Sequence, residues 1–169
     1  MKISVTSKVS ATNVADQHTF SYYGAAASVK LSSEQTSDRF YMISSTIRPG
    51  IAPPLHVHHF EDEVYVVLRG TVRYFHGADW LDECETVDVS AGGSVWLPRG
   101  IPHTWDTVTS ESDILLITNN GNFERFTNKI VDLELGNVRH DNDIAYLYRE
   151  HGMEVLGPAP DLHGVGGSR

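Results

Sequence analysis

A chain of 169 residues, 40% hydrophobic and 21% charged, suits one domain with a sizeable core and excludes an extensively disordered protein. Asp and Glu number 22 against 13 Lys and Arg, a formal net charge of −9 with no basic cluster, which argues against nucleic acid and anionic membrane as partners. The single cysteine, Cys84 in the acidic stretch LDECETVD, excludes an internal disulfide and favours a reduced, cytoplasmic setting. The opening MKISVTSKVS lacks the continuous apolar segment of a secretion signal, and the longest apolar runs, such as VYVVL, are too short to span a bilayer. A soluble, intracellular protein is expected.

From about Tyr22 to Thr118, β-branched and aromatic residues come in short runs separated by Gly, Pro and Asp, the pattern of many short strands. In order, RFYMISSTI, HVHH, EVYVVL, TVRYF, ETVDVS, SVWL, HTWDTV and DILLIT are the predicted strands. Arg69 and Gly70 join EVYVVL to TVRYF as a two-residue connection suited to a hairpin. Turn signals at this spacing predict an antiparallel sandwich or small barrel. NFERFTNKIVDLE then places Phe123, Phe126, Ile130 and Leu133 at helical intervals, and in DNDIAYLYREHG Asp141 is placed to cap a second helix that Gly152 ends. One domain over 1–160 is expected, its core at about 20–120 and a helical segment at about 121–156. PAPDLHGVGGSR is Gly- and Pro-rich with little to bury, so residues 161–169 are expected to form a flexible tail.

The chemistry concentrates in GIAPPLHVHHFEDEVYVVLRG, from Gly50 to Gly70. Side chains of a strand alternate, so His56 and His58 project from one face, with Cα atoms roughly 6.6 Å apart, while Val57 faces the other way. Pro53 and Pro54 keep the approach extended. If the polar corner HFED folds back, the Glu63 carboxylate reaches the same face. An H-x-H pair carries little by itself in a chain with nine histidines. Its conjunction with Gly50, Glu63 and Gly70 carries much more. A second segment, GGSVWLPRGIPHTWDT, sets Gly92, Pro98 and Gly100 ahead of His103, which opens another strand.

The spacing G-x5-H-x-H-x4-E-x6-G, on Gly50, His56, His58, Glu63 and Gly70, followed by G-x5-P-x-G-x2-H, on Gly92, Pro98, Gly100 and His103, resembles the two signature motifs of the cupin superfamily. Thr107 stands where the family's second motif usually ends in Asn. Within the superfamily the chain is similar to small single-domain cupins of the quercetin 2,3-dioxygenase type, with softer likeness in YYGAAASVKLSSEQTSDRFY and REHGMEVLGPAP. The resemblance implies an all-β fold, the double-stranded β-helix or jelly-roll barrel, with short C-terminal helices. It also implies one divalent metal on His56, His58, Glu63 and His103, Glu63 as the catalytic base, and a homodimer. Three imidazoles and a carboxylate suit Fe, Ni, Mn or Co, with Zn admissible, whereas a closed structural zinc site more often uses thiolates. Such an ion keeps positions open for a substrate oxygen or O2.

Alternation along the same strands puts Tyr65 and Val67 on the face of Glu63, and Trp105 and Thr107 on the face of His103, as an aromatic substrate pocket whose mouth Phe123 and Phe126 could close, although a helix packed on the sheet would use the same spacing. His59, Glu61 and Asp62 read as spectators on a solvated corner, and His18, His76, His140, His151 and His163 as surface residues. The expected activity is O2-dependent ring cleavage or oxidation of an enolic or phenolic small molecule, flavonol- or polyketide-like. A non-redox cyclase, isomerase or decarboxylase and a non-catalytic small-molecule-binding cupin are the alternatives.

Overall fold

The runs of β-branched and aromatic residues become strands, and the Gly and Pro positions between them become the turns. A computed structural model describes residues 9–22, 24–135 and 141–164. Eleven strands are described: β1 Thr19–Tyr22, β2 Ala25–Leu31, β3 Tyr41–Ile47, β4 Leu55–His58, β5 Glu63–Arg69, β6 Thr71–His76, β7 Glu85–Ser90, β8 Ser94–Leu97, β9 His103–Thr107, β10 Ser112–Thr118 and β11 Met153–Gly157. Helices α1, Asn122–Leu135, and α2, Asp141–Glu150, lie between β10 and β11. One antiparallel sheet has the order β1-β2-β3-β10-β5-β8 and the other β11-β4-β9-β6-β7. This is a mostly β chain with few helices, consistent with a double-stranded β-helix.

The two sheets face each other across a core that includes Ile43, Val67, Val72, Tyr74, Leu97 and Leu116. Alternation is plain on β5 and β10, whose inward residues are buried and whose intervening residues are half-buried, or exposed as at Leu68. Helix α1 covers one end. Phe126 is fully buried and packs edge-on against Tyr148 of α2, with ring centroids 4.9 Å apart, and Tyr22 of β1 packs against both Phe123 and Phe126. Burying an aromatic of this size contributes roughly 1.5–3 kcal/mol.

Three expectations about the backbone are corrected. Strands β5 and β6 do not form a hairpin: they belong to different sheets, and Arg69–Gly70 is where the chain passes from one sheet to the other. Gly70 makes that passage with φ +82°, a conformation glycine adopts at no steric cost. Strands β1, β2 and β11 have no counterpart among the predicted strands, and β11 falls largely within the segment expected to be helical. It pairs antiparallel with β4, Met153 opposite His58 and Val155 opposite His56. The tail is also tied down further than its composition implies. The Leu162 N–H donates to Asp106 Oδ2 at 3.1 Å, His163 Nε2 lies 2.8 Å from the Thr107 carbonyl, and Pro160 is buried. Residues 165–169, like His140, lie outside the described residues. Among the described residues, no helix is long and apolar enough to cross a membrane.

Candidate metal centre

Strand β4 begins immediately after Pro53–Pro54 and has all four residues buried, so its two histidines are enclosed by the fold. Its position is fixed by β9, where His56 pairs directly with His103, and by the Thr104 hydroxyl, which donates to the Pro53 carbonyl at 2.7 Å. The Pro98–Gly100 turn closes from the other side: Gly100, at φ +80°, donates its N–H to the His58 carbonyl at 2.7 Å. Glu63 opens β5 in the facing sheet, between Thr118 of β10 and Leu97 of β8. Two histidines from β4, one from β9 and a carboxylate from the opposite sheet therefore meet inside the barrel.

The inward nitrogens of His56, His58 and His103 lie within 4.8 Å of one another, and the three rings are almost wholly buried. His56 Nε2 and His58 Nε2 are 3.0 Å apart, Glu63 Oε2 is 3.2 Å from His103 Nε2, and Glu63 Oε1 is 3.6 Å from His58 Nε2. The outward nitrogens are all engaged by acceptors. His56 Nδ1 donates to the Pro54 carbonyl at 2.7 Å, His103 Nδ1 to the Ile101 carbonyl at 2.9 Å, and His58 Nδ1 to Glu61 Oε1 at 2.6 Å. A proton held at each Nδ1 leaves each Nε2 with its lone pair directed inward. Three such lone pairs beside a carboxylate repel one another unless a cation or a proton stands between them. The donor set therefore fits a divalent metal, and the three buried imidazoles form a group able to hold one.

The electrostatics agree with that fit. Burial, reinforced by His103 and His58, holds His56 well below the ordinary histidine range. For His58 burial acts in the same sense but is outweighed by Glu63 and Glu61, so its pKa is raised. Burial alone would raise Glu63, yet His58 and His103 outweigh it and bring its pKa down to about 2. Metal binding is accordingly expected to weaken as pH falls, starting where His58 takes up its proton, while His56 stays neutral and Glu63 stays ionised. One displaced proton corresponds to about a tenfold loss of affinity per pH unit below that point. Calorimetric Co2+ titrations across pH check this, and an affinity flat through the histidine range would contradict it.

Next to these side chains opens a narrow apolar cavity whose wall includes His56, Glu63, Tyr65, Trp105, Ile114 and Phe123. Among the described residues, neither Lys nor Arg lines it. The Tyr65 hydroxyl accepts the Trp105 indole N–H at 3.3 Å, and burial together with the Glu63 charge pushes its pKa well above the ordinary tyrosine value. Of the expected pocket residues, Tyr65 and Trp105 line this cavity; Val67, Thr107 and Phe126 do not. Val67 lies deeper in the core, and the Thr107 hydroxyl bonds Ser112 Oγ at 2.7 Å. Phe126, one turn further along α1, faces α2, so Phe123 takes the position at the wall.

The spectator corner is also corrected. Glu61 is fully buried, with one oxygen on His58 and the other accepting the Asn122 amide at 2.9 Å. Asp62 accepts from the Arg99 backbone and guanidinium at 3.0 Å and from Asn119 at 2.8 Å, and Arg99 holds its carboxyl below the usual range. His151 is buried, not at the surface. His59 does point away, half-exposed, toward Glu154.

Residues 44–118 match the family model for a cupin domain. Together, the match and the fold support the cupin superfamily. No match was found among curated proteins. Among solved structures, this chain superposes on KdgF from Halomonas sp. with TM-score 0.55 at 13% identity, covering 67% of this chain and 96% of that one. FeII HppE superposes with TM-score 0.54 at 12% identity, covering 65% and 60%. CapF with the inhibitor 3-isopropenyl-tropolone superposes with TM-score 0.53 at 19% identity, covering 64% and 32%. The matched region thus spans about a third of the CapF chain and three fifths of HppE. Likeness at these identities is likeness of the cupin fold.

Proposed function

We propose that His56, His58, Glu63 and His103 hold one divalent transition metal, Fe, Ni, Mn or Co, and that the protein is an oxygenase of quercetin 2,3-dioxygenase type for an enolic or phenolic small molecule. The observation that carries this reading is the convergence of three lone-pair nitrogens and an ionised carboxylate at the polar end of an apolar cavity. When bound, such an ion supplies a Lewis-acidic centre for an anionic oxygen and, if redox-active, a site for O2 chemistry.

The chain's own residues supply the rest. Glu63, ionised and reaching the cavity wall, accepts the proton of a substrate hydroxyl at one of its carboxylate oxygens. Trp105 and Phe123 bracket a planar, apolar substrate body, and the enclosing Ile43, Ile47 and Leu116 exclude water from the reacting end. Among the described residues the wall carries no Lys or Arg, so an anionic group of the substrate would have to be met by the ion itself.

Elemental analysis of protein purified without added metal, followed by oxygen uptake with a flavonol and with a polyketide enol, tests the reading. Product formed equally well without O2 would replace it with non-redox cyclisation, isomerisation or decarboxylation. Tight ligand binding without turnover would make the protein a binding cupin. Glu63→Gln is expected to retain much of the metal while losing about 10²–10⁴-fold in turnover, the range for a lost general base. Unimpaired turnover in that variant would remove Glu63 from the proton transfer.

A further inference from the structure

Glu61 is a carboxylate with no access to solvent, set only two positions before Glu63. Burying a carboxylate is costly unless each oxygen is engaged, and here both are. Oε1 takes the His58 Nδ1 proton at 2.6 Å, and Oε2 takes the Asn122 amide at 2.9 Å. Asn122 continues outward: its Nδ2 also donates to the His151 carbonyl at 2.7 Å, and its Oδ1 lies 3.2 Å from His151 Nδ1. Asn122 is the first residue of α1, and the next, Phe123, stands in the cavity wall with its ring centroid 5.9 Å from that of His58. One carboxylate therefore touches both the β4 histidine and the base of the helix that shapes the cavity.

His58 differs in this from its two neighbours. His56 and His103 give their Nδ1 protons to neutral backbone carbonyls, whereas His58 gives its own to a charged side chain. A carboxylate behind an imidazole fixes the tautomer, locks the ring plane and raises the basicity of the opposite nitrogen.

We infer that Glu61 is a positioning residue that makes His58 the strongest nitrogen donor of the site and, through Asn122, links metal retention to the seating of α1. This rests on the metal reading above, so the experiment separates the two. Metal-free protein is titrated with Co2+ alone in the parent chain and in Glu61→Gln, Asn122→Ala and His59→Gln, with thermal melts of each metal-free protein alongside. A glutamine at 61 has one acceptor oxygen and no charge, so it cannot serve both His58 and Asn122. The expected result is a 10–100-fold loss of Co2+ affinity in Glu61→Gln, the range found when such outer partners are removed. Asn122→Ala should lose less, His59→Gln should match the parent, and metal-free melting should not follow the same order.

Binding by Glu61→Gln within twofold of a parent that does bind would overturn the inference and leave the metal reading standing. A parent without measurable Co2+ binding would overturn both. Should Glu61→Gln not fold, 15N NMR of the metal-free parent decides: His58 must carry its proton on Nδ1 toward Glu61, and an Nε2–H tautomer in the parent overturns the inference.

Discussion

Replacing His103 with alanine is expected to lower Co2+ or Ni2+ affinity by more than about 100-fold while leaving the barrel folded. Removal of an outer hydrogen-bond partner already costs about 10–100-fold at a metal site, and His103 would supply a donor atom itself. Its place in the set follows from strand pairing: it lies directly across from His56, with ring centroids 4.7 Å apart, and its ring stacks parallel to that of His58. Without it, two nitrogens of one short strand and a carboxylate remain, which no longer surround a point. The fold loses one hydrogen bond to the Ile101 carbonyl and the packing of one ring, about 1–3 kcal/mol. Burial depresses His56 first and the neighbouring His103 ring second, so without that ring His56 should protonate at a higher pH than in the parent. Elemental analysis and calorimetric titration beside circular dichroism check the result. Parent-like metal content in a folded His103→Ala protein would remove His103 from the coordinating set.

The second large effect concerns the backbone. Gly70→Ala is expected to destabilise the protein by about 2–5 kcal/mol, summing the cost of a left-handed non-glycine residue and that of overpacking. At φ +82°, an added Cβ would meet Ser112 Oγ and lie 2.6 Å from both the Glu111 carbonyl oxygen and Thr109 Oγ1. The serine hydroxyl can rotate aside, but the carbonyl cannot without moving the turn that leads into β10. That strand pairs with β5 from Asp113 to Thr118, where it faces Glu63. For a chain of this size the melting temperature should fall by on the order of 10 °C. A shift under about 2 °C would show that the turn relaxes around the methyl group.

Strand alternation made His56 and His58 legible as a pair, whereas Glu63 and His103 joined them through the resemblance to the two cupin motifs. Alternation aims His56 and His58 together, the prolines before β4 hold it extended, and the turn at Pro98 and Gly100 sets His103 at the head of its strand. Glu61 was not legible, because a charged corner reads as solvated until Asn122, far along the chain, is brought to cover it. The link between β5 and β6 misled for a related reason: two residues ending in glycine serve equally for a hairpin and for a passage between sheets, and only the partners of each strand decide. Phe123 and Phe126 share the helical spacing of a core face, so sequence could not say which meets the cavity. That depends on where α2 lies, since Tyr148 claims Phe126.

Strand β11 has a consequence for how the molecule is made. Strand β4 has β9 on one side and β11 on the other. Until Met153–Gly157 has left the ribosome, the strand bearing His56 and His58 has a bare edge of unpaired amides and carbonyls, ready to template association with another nascent chain. A form cut before Met153 should therefore clump rather than merely bind metal weakly.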